Sequence, residues 1–222
     1  MFTIRSCRFY IVLLLLLTLS ACADKKIALK PLRIVCVGDS ITYGYKLPNP
    51  AAQSYPAQLA RLSHGQWSVM NSGVNGATLL NNGDIPFIRQ KAYQRALQSR
   101  PDVVVVMLGT NDMKDKNWQY LQSFEADYTK LVKSFRKLPT HPHIIACTIP
   151  PVFTAYPNGL NGKKVLEINK KVKQLVVHDK IDLLDIHTFM MNKQALFSDG
   201  VHPNARGAQE IAAQVLYKIS SL

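Results

Sequence analysis

The sequence predicts an α/β domain with a five-stranded parallel sheet, and three observations lead there. Short Val- and Ile-rich runs alternate with segments whose apolar residues recur at helical spacing, giving a βαβαβ order. The runs are continuously apolar, as in strands buried on both faces. Short blocks of Gly, Asp, Asn and Ser follow these runs or occupy a late polar loop, where a parallel sheet places its functional connections.

The first strand reads as Arg33-Ile34-Val35-Cys36-Val37, left through a tight turn at Gly38. A helix around Tyr55 to Ser63 leads to a second strand, Trp67 to Asn71, and a helix after Pro86 leads to the third, Val103 to Leu108. From Trp118 to Leu138, Leu121, Phe124, Tyr128, Leu131, Val132 and Phe135 keep helical spacing, which predicts one amphipathic helix with its aromatics in the core. His143 to Ile149 is the fourth strand, stopped by Pro150-Pro151, which cannot donate to a ladder. Val165, Ile168, Val172, Leu175 and Val176 mark the next helix, Ile181 to Ile186 the fifth strand, and Ile211, Val215, Leu216 and Ile219 a closing helix after Pro203. With 222 residues, 47% of them apolar, one domain fits better than two.

The N-terminus reads differently. Arg5 and Arg8 precede the apolar run Ile11 to Leu17, and Leu19-Ser20-Ala21-Cys22 closes it, which is the pattern of an export signal. The run is short for a transmembrane helix. Leu-Ser-Ala-Cys resembles the lipobox at which bacterial lipoproteins are cleaved and acylated; a conventional cleavage after Ala21 is the alternative. The expected organisation is a signal peptide over residues 1–21, a lipid-anchored tether over 22–31 and one folded domain over 32–222. The expected location is an exported lipoprotein held to a membrane through Cys22. Ala23 in place of an acid disfavours inner-membrane retention, which leaves the outer membrane, periplasm or cell surface.

Charge and cysteines narrow the partners. The net charge of +13 falls to +11 without residues 1–21, which hold Arg5, Arg8 and no acid. Lys163, Lys164, Lys170, Lys171, Lys173 and Lys180 read as a solvated helix face and not as a nucleic-acid site. Cys36 and Cys147 read as small core residues on strands that are not neighbours, so no disulfide is expected between them. No cysteine–histidine cluster suggests zinc. No Gly-x-Gly-x-x-Gly fingerprint or phosphate-loop lysine follows the first strand, which sets nucleotide binding aside.

Four blocks carry the chemistry: Gly38-Asp39-Ser40, Gly73-Val74-Asn75-Gly76, Gly109-Thr110-Asn111-Asp112 and Asp199-Gly200-Val201-His202. Under a flavodoxin-like strand order 2-1-3-4-5, Gly76, Ser40 and Asn111 line up across adjacent strand ends. Ser40 at a strand-to-helix turn is the candidate nucleophile, His202 the base that takes its proton, and Asp199 the carboxylate that orients the imidazole. The Ser40 N–H, the Gly76 N–H and the Asn111 side-chain amide are candidate donors to an oxyanion. Gly73 and Gly76 could instead serve positive backbone dihedrals, and Asn111 could cap a helix. Asp39 and Asp112 are expected to brace the turns around Ser40 and Asn111. Tyr43, Trp118 and Tyr156 are the aromatics nearest to a substrate, with core packing as their other role. His64, His141, His143, His178 and His187 lack an Asp three residues before them and read as structural or solvated.

In these residues the chain resembles the SGNH hydrolases, often called the GDSL esterases and lipases, over nearly the whole mature sequence. The resemblance assigns Ser40, Gly76, Asn111 and His202 to the family's serine, glycine, asparagine and histidine, with Asp199 completing the triad. It implies a three-layer α/β/α sandwich. Ile41 stands where the family's eponymous block has leucine, an apolar exchange that leaves the chemistry intact. The wording around Gly38 to Gly44, Gly109 to Asp112 and Trp118 resembles bacterial carbohydrate or sialate O-acetylesterases. The function implied is hydrolysis of short acyl esters on a small-molecule or glycan substrate through an acyl-enzyme. It needs neither metal nor redox cofactor. Lysophospholipase or acyl thioesterase activity is the alternative, and a noncatalytic glycan-binding lipoprotein the reading from another class.

Overall fold

In the computed structural model, which describes residues 30–222, the sheet consists of β1 (Leu32–Gly38), β2 (Trp67–Gly73), β3 (Val103–Met107), β4 (His143–Cys147) and β5 (Asp182–Leu184). Every pairing is parallel and the order is β2-β1-β3-β4-β5, as expected. The signal, tether and lipid-site expectations for residues 1–29 lie outside the described residues. Among the described residues no helix is long and apolar enough to cross a membrane.

Around the sheet run α1 (Ser40–Tyr43), α2 (Pro50–Gln53), α3 (Tyr55–Leu62), α4 (Lys91–Gln98), α5 (Asp115–Trp118), α6 (Phe124–Arg136), α7 (Gly162–Asp179), α8 (Ile186–Met190) and α9 (Ala205–Ser220). Side chains of a strand point alternately to the two faces, and the core divides accordingly. Val35, Val37, Val104, Val106 and Ala146 pack with α4, α6 and α7. Ile34, Cys36, Val103, Val105, Met107, Ile145 and Cys147 pack with α3, α8 and α9. The result is the expected three-layer sandwich. All five residues of β3, the central strand, are buried, and burial of each valine contributes about 1.5–3 kcal/mol.

The helices bury the stripes that their periodicity marks: Tyr128, Leu131, Val132 and Phe135 on α6, and Ile211, Ala212, Val215 and Ile219 on α9. Phe135 is fully buried, so Phe135→Ala would cost about 3–5 kcal/mol through lost burial and the cavity left behind.

β4 ends at Cys147, short of the expected Ile149, and β2 runs on to Gly73, beyond the expected Asn71; two further departures change an element. The segment Trp118 to Leu138 is not one helix: α5 ends at Trp118, a 3₁₀ turn occupies Leu121–Ser123, and α6 starts at Phe124. Just before the break, Asn117 Nδ2 donates to the Asn111 carbonyl and to Asp84 Oδ1, both at 2.8 Å, tying α5 to other loops. The fifth strand is shorter than Ile181 to Ile186 because Asp185 caps α8, accepting from Thr188 N, and so takes Ile186 into the helix. Cys36 and Cys147 are buried free thiols on β1 and β4, which β3 separates.

Candidate active site

The parallel sheet brings the ends of β1, β2 and β3 together, and local sequence decides how each chain leaves. At Gly38 a Cβ would meet Thr42 Oγ1 at 2.0 Å and the Met107 carbonyl at 2.7 Å, so only glycine lets β1 turn this tightly into α1. Asp39 caps that helix, its Oδ1 accepting from Ile41 N at 2.9 Å. Ser40 is thereby the first residue of α1, where backbone N–H groups lack helical partners. A Cβ on Gly73 would lie 2.1 Å from Tyr43 N, so the end of β2 packs backbone to backbone against α1.

Asp199 and His202 arrive in the loop before α9. Asp199 Oδ1 accepts from Val201 N at 3.0 Å and from His202 N at 2.8 Å, which folds the four-residue block on itself. Asp199 Oδ2 lies 2.8 Å from His202 Nδ1, and His202 Nε2 lies 3.0 Å from Ser40 Oγ. The three side chains form one hydrogen-bonded relay. The loop is pinned from the other side by Phe153 N donating to the Gly200 carbonyl and by the Tyr156 hydroxyl donating to the Asp199 carbonyl, both at 2.8 Å. Burial raises the Asp199 pKa, but hydrogen bonds from Lys46, the His202 backbone and ring, and Val201 outweigh it and hold the carboxyl well below the usual carboxylate range.

Gly76 and Asn111 sit in the loops after β2 and β3. Gly76 has φ +78°, in the left-handed region, and its N–H donates to no backbone carbonyl of the described residues. Asn111 opens the 3₁₀ turn Asn111–Met113, with Thr110 in the cap position, so its side chain is not a helix cap. Its Nδ2 donates to the carbonyl of Ala77, next to Gly76, at 3.0 Å. A primary amide has a second N–H to give. The bond to Ala77 ties the Asn111 side chain to the residue that follows Gly76.

Asp112 braces a different loop from the one expected. Its carboxylate accepts from Leu79 N at 3.0 Å and Leu80 N at 2.7 Å, fixing the chain beyond Gly76 and leaving the Asn111 turn to Asn117. Burial pushes Asp112 up to about 7 and Asp39 up to about 6, against the partial relief of their backbone hydrogen bonds. The Thr110 hydroxyl lies near enough to ease the charge on Asp39, yet its geometry is not that of a hydrogen bond. Asp39 Oδ2 and Thr110 Oγ1 are both buried without a partner among the described residues.

The expected aromatics divide. Tyr156 touches the Asp199 loop, whereas Tyr43 lines a cavity with Pro50, Asn71 and Arg95, and Trp118 packs on the core beneath Lys164 Nζ, 4.8 Å from its ring centre. Two contacts had no signal in the sequence: the Tyr45 ring meets the His202 imidazole edge-on at 4.9 Å, and Lys46 Nζ lies 2.8 Å from Asp199 Oδ2. Among the other histidines, His143 and His178 pair with Asp182 and Asp179, and none joins the relay.

A serine hydroxyl bonded to an imidazole that is bonded to a carboxylate can be deprotonated as it attacks an electrophilic carbon. Comparison with known proteins bears on the family and the fold. Residues 36–210 match the model of the GDSL-like lipase/acylhydrolase family. An acetylxylan esterase from Xylanibacter ruminicola is 36% identical over 201 residues, which cover 82% of this chain and 42% of that protein. The chain therefore spans less than half the length of that curated relative. A carbohydrate acetylesterase from Sinorhizobium meliloti superposes with a TM-score of 0.68 at 20% identity, covering 86% of this chain and 99% of that one. The aryl esterase of M. smegmatis superposes with a TM-score of 0.69 at 19% identity, with 86% and 99% covered. At those identities the likeness is one of fold. The family match rests on the sequence itself, and the chain belongs to the GDSL-like lipase/acylhydrolase family, the SGNH hydrolases.

Proposed function

We propose that the protein is a serine esterase that removes short acyl groups, O-acetyl groups on carbohydrate above all, through an acyl-enzyme. The observation that carries this reading is the relay from Ser40 Oγ through His202 to Asp199, with bonds of 3.0 and 2.8 Å. In the first half-reaction Ser40 Oγ attacks the ester carbonyl while His202 Nε2 takes its proton, and the Asp199 carboxylate steadies the imidazolium. The carbonyl oxygen becomes an oxyanion that receives hydrogen bonds from Ser40 N, Gly76 N and the second N–H of Asn111 Nδ2. His202 returns the proton to the departing sugar oxygen, leaving Ser40 acylated. In the second half-reaction a water gives its proton to His202, attacks the acyl carbon and releases the carboxylic acid and free Ser40.

Support for acetylated carbohydrate comes from the names of two relatives, the acetylxylan esterase and the carbohydrate acetylesterase. The site is proposed to work outside the cytoplasm, tethered through lipidated Cys22. Support for that comes from Leu19-Ser20-Ala21-Cys22 behind an apolar run. Detergent-phase partitioning that is lost in Cys22→Ala is the expected result, and undiminished membrane association of the variant contradicts it.

A substrate panel tests the activity: acetylated xylo-oligosaccharides, O-acetyl sialic acid, p-nitrophenyl esters of increasing chain length, acyl-CoA and lysophospholipid. The expected outcome is the highest kcat/KM on acetyl esters, falling as the chain lengthens. Preference for long chains contradicts the acetyl assignment. Saturable glycan binding without turnover of any ester contradicts the enzyme reading altogether.

A further inference from the structure

The segment that leaves α1 doubles back onto the far end of the relay. Gly44 N and Tyr45 N both donate to the Ser40 carbonyl, at 3.0 and 2.9 Å, and Leu47 N donates to the Gly44 carbonyl at 3.2 Å. Gly44 has φ +92° and Lys46 φ +65°. The left-handed region is ordinary for glycine and costly for a lysine, so this backbone persists only because its surroundings hold it. Buried Leu47 anchors the turn from below. The outcome is that Tyr45 meets the His202 ring edge-on and Lys46 Nζ reaches Asp199 Oδ2, the oxygen that also serves His202 Nδ1.

We propose that Lys46 is a positioning residue of this site: by sharing Asp199 Oδ2 with the His202 ring, its ammonium sets the pH range in which Ser40 can be activated. The proposal rests on the serine-esterase reading given above. A carboxylate oxygen shared by a cation at 2.8 Å and an imidazole at 2.8 Å offers each of them less than it would offer alone, so removing the ammonium strengthens the hold of Asp199 on the imidazolium form of the base. The Asp199 side chain is only 13% exposed, so the pairing is less screened than one between two surface groups, even though Lys46 is 46% exposed.

The other groups facing the relay do not supply this effect. Ser40 and Asp39 face it from the turn after β1, Tyr45 from the same loop as Lys46, and Tyr156 through a hydroxyl bonded to the Asp199 carbonyl. Asp39 is the other carboxyl whose charge reaches His202, and Lys114 acts on Asp39. Lys46 is the cation bonded to the relay carboxylate.

The test is the pH profile of kcat/KM on a short ester for the wild type, Lys46→Met, Lys46→Gln and Lys46→Arg, with phosphonate labelling of Ser40 followed in parallel. In Met and Gln variants the acid limb should move to higher pH by about one unit, while Arg keeps it near the wild-type position. The same displacement should appear when Lys46→Met is placed in an Asp39→Asn background, which removes the other carboxyl from the comparison. A role confined to packing would lower thermal stability and leave the limb where it was, and that outcome overturns the proposal while labelling of wild-type Ser40 continues. If wild-type Ser40 is not labelled and no ester turns over, the esterase reading and this proposal fall together.

Discussion

Ser40 Oγ and His202 Nε2 lie 3.0 Å apart although 162 positions separate the two residues. One comes from the first βα turn and the other from the loop that precedes α9. The parallel sheet makes their meeting possible, and the Asp199 block makes it definite by fixing the imidazole in one orientation.

That orientation yields a prediction for Asp199→Asn. Asp199 Oδ1 accepts two backbone N–H groups, so the amide oxygen of an asparagine would take that place and its NH₂ would face His202 Nδ1. The ring would then carry its proton on Nε2, where it cannot accept from Ser40. Steady-state kinetics should show kcat reduced by about 10³–10⁴, with only a modest fall in the thermal midpoint, because both backbone bonds survive while the pairing of Lys46 Nζ with Oδ2 is lost. Retained kcat would mean that the carboxylate does not orient the base.

Asn111→Ala removes one proposed oxyanion donor. The expected loss is about 10²–10³ in kcat with KM little changed, since the bond forms only as charge develops. The contact with the Ala77 carbonyl is lost as well. A thermal melt therefore accompanies the kinetics, and a variant that is destabilised yet fully active would assign Asn111 to the loop alone.

Asp39 gives stability a pH dependence of definite sign. Its pKa is raised from 3.8 to about 6 in the folded protein, so the native state holds the proton more tightly than the unfolded chain. The associated stability is full below about pH 4 and is lost as pH rises through about 6. Asp39→Asn keeps an acceptor for Ile41 N and places a donor near the unpartnered Thr110 Oγ1. Denaturation at about pH 4, 6 and 8 should show a flatter dependence in the variant, which gains up to about 3 kcal/mol at the highest pH. A slope equal to that of the wild type would contradict the account of this carboxyl.

Tyr128, on the core face of α6, is fully buried, and its hydroxyl has no partner among the described residues. Tyr128→Phe keeps the ring and removes an unsatisfied polar group. The variant should be more stable by about 1–3 kcal/mol in chemical denaturation. A loss of stability would show that the hydroxyl is satisfied in solution.

Much of this architecture was legible in the sequence because the sheet is buried on both faces. Runs such as Val103 to Met107 have no competing reading when they stand between helical periods, and the Ser40, Gly76, Asn111 and Asp199–His202 blocks mark where the chain leaves the sheet or returns to its end. The break before Phe124 was hidden because Leu121 keeps the apolar period across a 3₁₀ turn, and the bond from Asn117 to Asp84, which ties α5 to another loop, spans 33 residues. The expected role of Asp112 missed because its partners, Leu79 and Leu80, belong to another loop. Lys46 escaped for a further reason: its contact depends on a left-handed backbone that lysine sequences do not advertise.

Covalent capture reports on the nucleophile itself. The protein is treated with an organophosphonate ester and the peptide containing Ser40 is examined by mass spectrometry. A single phosphonyl adduct on Ser40 is expected, with none in Ser40→Ala and a parallel loss of ester turnover. Undiminished labelling of Ser40→Ala, or turnover that survives the substitution, would contradict it.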